Sequence, residues 1–379
     1  MELEYVTNIR RTLHENPEIG LKEHKTTALI KYELDKLGVQ YDSPLNTGCI
    51  AYIEGTSQSA IAFRADIDAL PIQEENDVPY RSKISGLMHA CGHDGHTSML
   101  LALIKRIKQA HEITPIRSTV YFIFQPSEES NAGANILLSS YEFRIKPEYI
   151  FGLHLQPEAE EGILLSKPGP ITASATEYRY FIEGTTSHVA NRHKGASAAE
   201  ALTIILNQLT HIQHYHLPGL DANIIHIGKL YAGEAINTVP SNGYLEGTIR
   251  TFKIDNLETI KLKMQQIAKY ASQLTDNKIT VQFSEGYPPT VNHEDAYSFM
   301  INAINKNIIQ YNEIKVPYLF GEDFSFYGNF APSCFLFLGC KNKQHITGLH
   351  TSTFDFDEKA LLYGIDVMHQ IFKRFEVEQ

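Results

Sequence analysis

With 379 residues, the chain exceeds the size of one typical domain core, so its length predicts two domains. Hydrophobic residues make up 43% and charged residues 20%, an ordinary globular composition that excludes a disordered chain. The formal net charge is −11 and no dense run of lysine and arginine occurs. We therefore expect neither nucleic acids nor anionic membranes as partners.

The N-terminus and the cysteines indicate where the protein resides. The first segment, "MELEYVTNIRR", is charged and lacks the apolar centre of a signal peptide, and no apolar run approaches the length of a membrane span. The four cysteines, Cys49, Cys91, Cys334 and Cys340, are sparse and irregularly spaced. A disulfide framework is therefore not expected, and we predict a cytoplasmic protein with reduced thiols.

The first third of the chain alternates helical and strand patterns. "TTALIKYELDKLG" has helical periodicity, and "CIAYIEG" and "AIAFRAD" are typical of strands. After Gly95, "GHTSMLLALIKRIKQA" predicts a helix, and "STVYFIFQP" and "YIFGLHL" follow as nearly continuous apolar strands. Continuous apolarity is typical of strands that are covered on both faces, so an α/β sheet with helices on both sides is predicted.

The middle of the chain has a different order of elements. "ATEYRYFIEG", a helix from "GASAAEAL", two strands, a helix from "NLETIKLK" and the strand "KITVQFSEG" give β-α-β-β-α-β. This order predicts a ferredoxin-like unit. After "YPP" the apolar α/β character returns, with "CFLFLG" as another buried strand. We predict a discontinuous catalytic domain of residues 1–172 and 286–379, interrupted by an inserted domain of residues 173–285.

The segment "HACGHDGH" concentrates metal-binding side chains. Thiolate and neutral imidazole bind divalent transition metals, and Cys91 and His93 lie two residues apart in a glycine-containing loop. The following helix would direct its N-terminal amides at the loop and lower the pKa of the thiol. The alternative is a buried structural cysteine beside surface histidines.

Other candidate residues follow the ends of predicted strands, where open α/β sheets place their sites. Glu128 and Glu129 follow one strand, and adjacent carboxylates can divide metal binding from general-base work; the alternative is a solvated acidic loop. Asp66 and Asp68 close another strand and could orient a ligand or a water molecule, or cap the turn.

Five further histidines lie in strands, loops and helices that differ in what they favour. His154 lies near the end of an apolar strand, where a histidine without a metal role is common, and His350 lies in the late loop "ITGLHTS". The cluster of His211, His214 and His216 lies late in a helix with no acid or cysteine beside it. We interpret that cluster as surface residues.

The ordered motifs "RRTLHENPEIG", "RADIDALP", "MHACGHDGHT", "FQPSEE", "NTVPSNGYLEGTIRTF", "GEDFSF" and "GLHTS" resemble the M20 metallopeptidase superfamily. Within it, they are similar to the amidohydrolase branch of hippurate hydrolases and N-acetyldiaminopimelate deacetylase-like proteins. The resemblance implies a zinc-peptidase-like catalytic domain with a mixed sheet, and an inserted domain that acts as lid and dimerisation domain. The segments "SHVANRH" and "SNAGA" depart from the pattern of this branch and bear on substrate identity.

The resemblance also implies roles for individual residues. It implies two divalent ions per subunit (manganese, zinc, cobalt or nickel) with five ligands: Cys91, His93, Glu129, His154 and His350. It further implies Glu128 as general acid/base, Asp66 as the acid that orients the site, His188 as an oxyanion donor, and Asn237 and Arg250 as contacts for the substrate carboxylate.

The expected activity is deacylation of an N-acyl amino acid by a homodimer, with N-acetyl-diaminopimelate of lysine biosynthesis as the favoured substrate. An aminoacylase or hippurate-type hydrolase, or a small-peptide hydrolase, is the alternative within the same chemistry. A metal-binding scaffold without turnover is the alternative outside it, and an intact Glu128 disfavours it because a structural metal site has no use for a neighbouring base.

Overall fold

The computed structural model describes residues 2–378, which form two compact units. The first unit consists of Met1–Ile171, Val291–Val316 and Asp323–Gln379, and the second of Thr172–Thr290 and Pro317–Glu322. The division lies close to the boundaries expected from the sequence. The short segment Pro317–Glu322, which we expected in the catalytic domain, belongs to the second unit because membership depends on tertiary contacts.

The helices and strands named in the sequence analysis are present in the structure with the predicted type, and further elements lie between them. The helices are α1 (Glu2–Glu15), α2 (His24–Lys36), α3 (His93–Ile113), α4 (Gly133–Ser140), α5 (Ala198–Tyr215), α6 (Ile254–Thr275), α7 (Glu294–Ala303), α8 (Ser325–Phe330) and α9 (Ala360–Glu378), and a 3₁₀ helix covers Val189–Lys194. The strands are β1 (Gln40–Asp42), β2 (Cys49–Ile53), β3 (Ala60–Asp66), β4 (Thr119–Gln125), β5 (Tyr149–Glu160), β6 (Ile163–Ser166), β7 (Gly169–Thr172), β8 (Thr176–Glu183), β9 (Asn223–Ala232), β10 (Asn242–Thr251), β11 (Lys278–Phe283), β12 (Thr290–Asn292), β13 (Gln310–Glu313) and β14 (Ser333–Lys341). Strands β7 and β12 pair with each other in a separate small sheet.

The first unit is built on a mixed sheet in the order β1-β2-β4-β3-β5-β14-β6-β13. The adjacent strands β4, β3, β5 and β14 are parallel, whereas β1, β2 and β4 pair antiparallel. Every residue of β2, β3 and β4 is buried, which requires cover on both faces of the sheet. Helices α1, α3 and α9 contribute to the same apolar core.

The second unit has a sheet in the order β11-β8-β10-β9, in which every pairing is antiparallel. Helices α5 and α6 place their apolar sides in a core of their own with this sheet. Strand β8 alternates buried and exposed residues along most of its length, as a sheet with one covered face requires. These observations confirm the predicted fold class, an α/β domain interrupted by a ferredoxin-like α+β unit.

Two further findings concern the chain as a whole. All four cysteines are buried and free. Among residues 2–378, no helix combines the length and apolarity that crossing a membrane demands.

Candidate metal centre

The parallel strands of the first unit bring the candidate residues to one edge of the sheet. Strand β3 ends at Asp66, which is paired with Gln125 at the end of β4. Glu128 and Glu129 follow directly after β4, and His154 lies in β5, the neighbour of β3 on its other side. The carboxyl ends of parallel strands are the usual place for a site in such a sheet.

Cys91 and His93 reach this edge through the start of α3. The helix begins at His93 and not after Gly95, so the prediction placed its start too late. The preceding residue, Gly92, has a φ of 86°, a left-handed conformation that a glycine adopts without strain. A Cβ there would also lie 3.1 Å from Leu155 Cδ1. Gly92 therefore allows the chain to turn so that the residues on both of its sides point at one place.

The five residues expected to be metal ligands lie together, although they come from distant parts of the chain. Cys91 Sγ is 3.4 Å from His154 Nε2 and 3.3 Å from His350 Nε2. His350 Nε2 is 3.2 Å from Glu129 Oε1, which is 3.8 Å from His93 Nε2. These residues and Glu128 form three overlapping groups of three, and within each group the candidate ligand atoms lie within 4.8 Å of one another. The groups are Cys91, His93 and His154; Cys91, Glu129 and His350; and His93, Glu128 and Glu129.

Two atoms of this cluster indicate that a cation fits there. Within residues 2–378, His93 Nε2 and Glu129 Oε1 are buried and make no hydrogen bond of acceptable geometry. Buried polar atoms without partners are costly, and a cation between them would satisfy both. One thiol, three imidazoles and a carboxylate suit zinc, manganese, cobalt or nickel. The cluster therefore fits the expected pair of divalent ions.

Asp68 holds the cluster in place. His93 Nδ1 lies 2.9 Å from the Asp68 carbonyl oxygen and 3.2 Å from its Oδ1, which leaves Nε2 directed at the other ligands. The two carboxylate oxygens of Asp68 also accept the backbone N–H groups of Glu128 (3.1 Å) and Glu129 (3.0 Å). The Asp68 carboxylate thus orients the His93 ring and fixes the turn that carries both glutamates. From the sequence, only the position of Asp68 at a strand end suggested such a role.

Asp66, which we expected to orient the site, has a different set of contacts. Its Oδ1 accepts from His96 Nδ1 at 2.6 Å, and its Oδ2 accepts from Arg64 at 2.8 Å and lies 3.6 Å from His93 Nε2. Because the backbone N–H of Leu155 donates to His96 Nε2, the proton of the neutral ring is on Nδ1. We did not single out His96 from the sequence, although it follows His93 at the helical spacing of three residues.

The electrostatics of the cluster differ from the sequence-based expectation at Cys91. The start of α3 was expected to lower the pKa of the thiol. In the protein alone, burial and the carboxylates of Glu129, Glu128 and Asp66 raise the pKa of Cys91 well above its ordinary value. Helix amides cannot offset three nearby negative groups in a dry site, so that expectation was wrong, and a thiolate here requires cations.

The neighbouring groups show the same concentration of negative charge. Burial opposes a charged His93, but the carboxylates of Asp66, Asp68 and Glu129 outweigh it and raise the pKa of His93 to about 10. Burial lowers the pKa of His154 well below its ordinary value. An anionic site with neutral imidazole nearby is suited to divalent cations.

Glu128 lies beside the ligands in a constrained turn. Its side chain is 6% exposed, and its carboxylate forms a possible ligand group with His93 and Glu129. The preceding Ser127 has a φ of 59°, an unfavourable conformation for a residue with a side chain, and its N–H donates to the buried Glu23 at 2.8 Å. Strained backbone held by surrounding contacts is frequent at functional sites.

The second unit holds the remaining candidates, at two separate places. His188 and Asn237 are neighbours: both are exposed, and the N–H of Val189 donates to the Asn237 carbonyl oxygen. His188 follows the end of β8, and Asn237 precedes the start of β10. These two strand ends are paired through Glu183 and Asn242.

Arg250 lies at the opposite end of β10, next to Ile249, which pairs with Thr176 at the start of β8. At about 3.4 Å per residue, the seven residue steps of β10 from Asn242 to Ile249 correspond to roughly 25 Å. The structure therefore does not bring Arg250 together with His188 and Asn237 of the same chain.

Comparison with known proteins identifies the family. Residues 62–374 match the model of peptidase family M20/M25/M40. A Staphylococcus aureus protein named uncharacterized hydrolase SAB1253 is 50% identical over 379 residues, 99% of each chain. A Staphylococcus haemolyticus protein named uncharacterized hydrolase SH1513 is 50% identical over 381 residues and the full length of both chains.

Solved structures with a similar fold support the match to this family. The Bacillus subtilis YXEP protein, described as a dinuclear metal-binding peptidase of the M20 family, is 29% identical, with a TM-score of 0.84 over 98% of this chain and 97% of its own. A Staphylococcus aureus tripeptidase shares the fold at 18% identity, with a TM-score of 0.75 over 100% of this chain and 99% of its own. With the ligand cluster in the first unit, these matches show that the chain belongs to peptidase family M20/M25/M40 and is a metal-dependent hydrolase.

Proposed function

We propose that this protein removes the acyl group from N-acyl amino acids, with N-acetyl-diaminopimelate of lysine biosynthesis as the favoured substrate. The observation that carries the proposal is Glu128, a buried carboxylate that lies beside the five ligands and is not needed as one of them. Its backbone N–H is held by Asp68, so the position of the side chain is constrained. This is the arrangement that general-base catalysis of amide hydrolysis requires.

The residues of the chain have separate parts in this reaction. Two divalent ions, when bound, polarise the scissile carbonyl and make a water molecule more acidic. Glu128 takes a proton from the attacking water and then gives it to the leaving amine. The ions would be held by the five candidate ligands: Cys91, His93, Glu129, His154 and His350. The products are a carboxylic acid and a free amino acid.

His188 is suited to stabilise the oxyanion. Its Nδ1 accepts the N–H of Ala190 at 3.2 Å, so in the neutral ring the proton is on Nε2. Within residues 2–378, that Nε2 has no hydrogen-bond partner and is exposed as a donor. A positioned N–H donor of this kind stabilises the negative charge of a tetrahedral intermediate.

Arg250 is suited to bind the carboxylate of the amino acid. It is half-buried, and within residues 2–378 it forms no ion pair; burial lowers the pKa of its guanidinium, which Glu177 only partly opposes. A desolvated guanidinium without a partner favours a carboxylate, which it can bind through two parallel hydrogen bonds. In the homodimer proposed below, Asn237 would assist from the other subunit.

The distance between the two ends of the second unit supports a homodimer. A small substrate cannot contact His188 and Arg250 of one chain when roughly 25 Å of strand separates them. We propose that a site receives its arginine from one subunit and its histidine and asparagine from the other, as two-fold symmetry permits. The cytoplasmic location inferred from the sparse cysteines belongs to the same proposal.

A panel of N-acyl amino acids tests the activity. The protein is loaded with manganese, zinc, cobalt or nickel and incubated with N-acetyl-diaminopimelate, N-acetylated and N-benzoylated amino acids and dipeptides. We expect release of the free amino acid, with N-acetyl-diaminopimelate giving the highest kcat/KM. The matched control is Glu128→Gln, which keeps the ligands.

Each result of the panel has a definite meaning. Preference for N-benzoyl substrates or for dipeptides would replace the favoured substrate with a hippurate-type or peptide hydrolase. Two bound metals without turnover of any amide would support a metal-binding scaffold and contradict the proposal.

A further inference from the structure

A buried network adjoins the ligand cluster and includes residues that have no part in metal binding. Arg64 lies in β3 and is 3% exposed. Its guanidinium donates from Nη1 to Asp66 Oδ2, from Nη2 to Asp323 Oδ1 and from Nε to Gln125 Oε1, each at 2.8 Å. Asp66, Asp323 and Gln125 are fully buried, so the three bonds form in a dry environment where charge-assisted bonds are strong.

One side of the network reaches the metal ligands. The oxygen of Asp66 that Arg64 contacts lies 3.6 Å from His93 Nε2, and the other oxygen accepts from His96. The position of the Asp66 carboxylate is therefore fixed by Arg64 on one side and by His96 on the other.

The other side of the network reaches Glu128. The backbone N–H of Asp323 donates to Glu128 Oε1 at 3.4 Å. Asp323 Oδ2 accepts the N–H of Ala134 at 2.9 Å, in the first turn of α4, which follows the turn that carries Glu128. Asp323 thus contacts both the Glu128 side chain and the start of α4, the helix that follows the turn carrying Glu128.

The chemistry of Asp323 requires a carboxylate. Within residues 2–378, its two oxygens accept from Arg64, from the Gln125 amide and from Ala134, and all of these groups are donors. An amide in the same place would turn an N–H group towards another donor. The guanidinium is equally specific, because an ammonium group cannot engage three acceptors in one plane.

We propose that Arg64 is a positioning residue that sets the distance between the metal ligands and the Glu128 carboxylate by bridging Asp66 and Asp323. The inference rests on the proposed role of Glu128 as general base. Arg64 belongs to none of the candidate ligand groups that residues 2–378 form. Because a displacement of about 1 Å in a reacting group can cost on the order of 100-fold in rate, its loss affects turnover more than binding.

The test compares Arg64→Lys and Arg64→Met with Tyr327→Phe. Tyr327 donates to the same Gln125 Oε1 at 3.2 Å, so the control removes a hydrogen bond from the same buried cluster and leaves the Arg64 side chain in place. For Arg64→Lys we expect two metals per chain, a KM within about twofold of wild type and a kcat lower by about 100-fold. Arg64→Met is expected to lose more activity than Arg64→Lys, and Tyr327→Phe to stay near wild type.

Two outcomes contradict the proposal. If Arg64→Lys retains the kcat of Tyr327→Phe, the bridge is dispensable. If it loses metal in proportion to activity, Arg64 retains the metals and does not position the base.

A second variant and a second measurement keep the test decisive. If the Arg64 variants do not fold, Asp323→Asn preserves the size of the side chain and the backbone N–H, and we expect a kcat about tenfold lower with both metals bound. A wild-type kcat in Asp323→Asn would overturn the proposal.

If wild type hydrolyses no N-acyl amino acid, the proposed function fails. The positioning role is then tested by crystal structures of metal-loaded wild type and Arg64→Lys. Asp323→Asn replaces Arg64→Lys if the Arg64 variants do not fold. A Glu128 carboxylate displaced by about 1 Å or more supports it, and superposition within coordinate error contradicts it.

Discussion

Glu128 and Glu129 are adjacent in the chain, yet their surroundings differ. Glu129 Oε1 lies 3.2 Å from His350 Nε2 and is a buried atom without a hydrogen bond. Glu128 accepts from the backbone N–H of Asp323. We expect Glu128→Gln to keep both metals but to lower kcat by about 10²–10⁴-fold, the contribution of a general base. We expect Glu129→Gln to lower metal affinity, because it removes a charged ligand.

Metal analysis and steady-state kinetics on the same preparations measure both effects. Equal metal loss in the two variants would contradict this division of roles. So would a near-normal rate in Glu128→Gln.

Cys91 permits a test at the level of one atom. Its Sγ is in contact range of two histidines, His154 and His350, and the pKa of its thiol is raised in the protein alone. Cys91→Ala should therefore bind less metal, with little change in the metal-free fold, because Sγ lies among the candidate ligand atoms and Cys91 is not part of the apolar core. Metal content and the circular dichroism of the metal-free protein check this expectation. Cys334→Ala, at a fully buried cysteine outside the ligand cluster, is the control that should keep both metals.

At the scale of elements, α9 carries a histidine, His369, whose pKa is shifted although it lies outside the candidate metal centre. Burial, then Arg106 and Lys373, lower the pKa of His369 in this helix to about 4. Arg106 Nη1 is 3.5 Å from His369 Nδ1. Between pH 6.5 and 4 the unfolded chain therefore binds a proton that the folded protein does not, so the free energy of unfolding falls as the pH falls through this window.

His369→Gln should remove this part of the acid sensitivity. Because the side chain is only partly buried, we expect a difference on the order of 1 kcal/mol between pH 7 and pH 4.5. Urea unfolding of the metal-free protein at both pH values measures it, with the exposed His214→Gln as control. The same wild-type-to-variant difference at both pH values would show that His369 is not the group responsible.

Helix α3 shows which features of an element the sequence determines. Its apolar periodicity predicted a helix in the right place, because periodicity reflects the face that a helix buries. Its predicted start lay two to three residues too late, since a left-handed Gly92 and the tertiary contacts of His93 extend the helix towards the site. Helix ends depend on such contacts more than helix interiors do.

At the scale of the whole molecule, the separation of His188 from Arg250 leads to a complementation test. Glu128→Ala and His188→Ala are each expected to be inactive. If sites combine two chains, a mixed dimer of these variants has one site with both defects and one with neither. Random reassortment makes about half of the dimers mixed, so about a quarter of all sites should recover activity.

Subunit exchange is verified by mass spectrometry of differently labelled chains. Exchange without recovery would show that His188 acts within its own chain or is not needed. A fully active His188→Ala protein would indicate the second case.

The sequence by itself determined the elements and the candidate ligands. The order of strands and helices in the second unit followed from local periodicity and apolarity. The ligand set came from the resemblance of the ordered motifs to the M20 superfamily, and residues as far apart as Cys91 and His350, separated by 259 positions, lie together in the structure.

Only the tertiary structure decided how these residues are held and charged. From the sequence, Asp68 was only one of two acids at a strand end that could orient a ligand, and Arg64 was not singled out; their partners, such as Glu128 and Asp323, come from distant segments that the fold brings near. Burial, followed by the carboxylates of Glu129, Glu128 and Asp66, raises the pKa of the Cys91 thiol, and no local motif contains the sum of these effects. Periodicity and ligand chemistry are local properties, whereas burial and electrostatics depend on every group that the folded chain brings into contact.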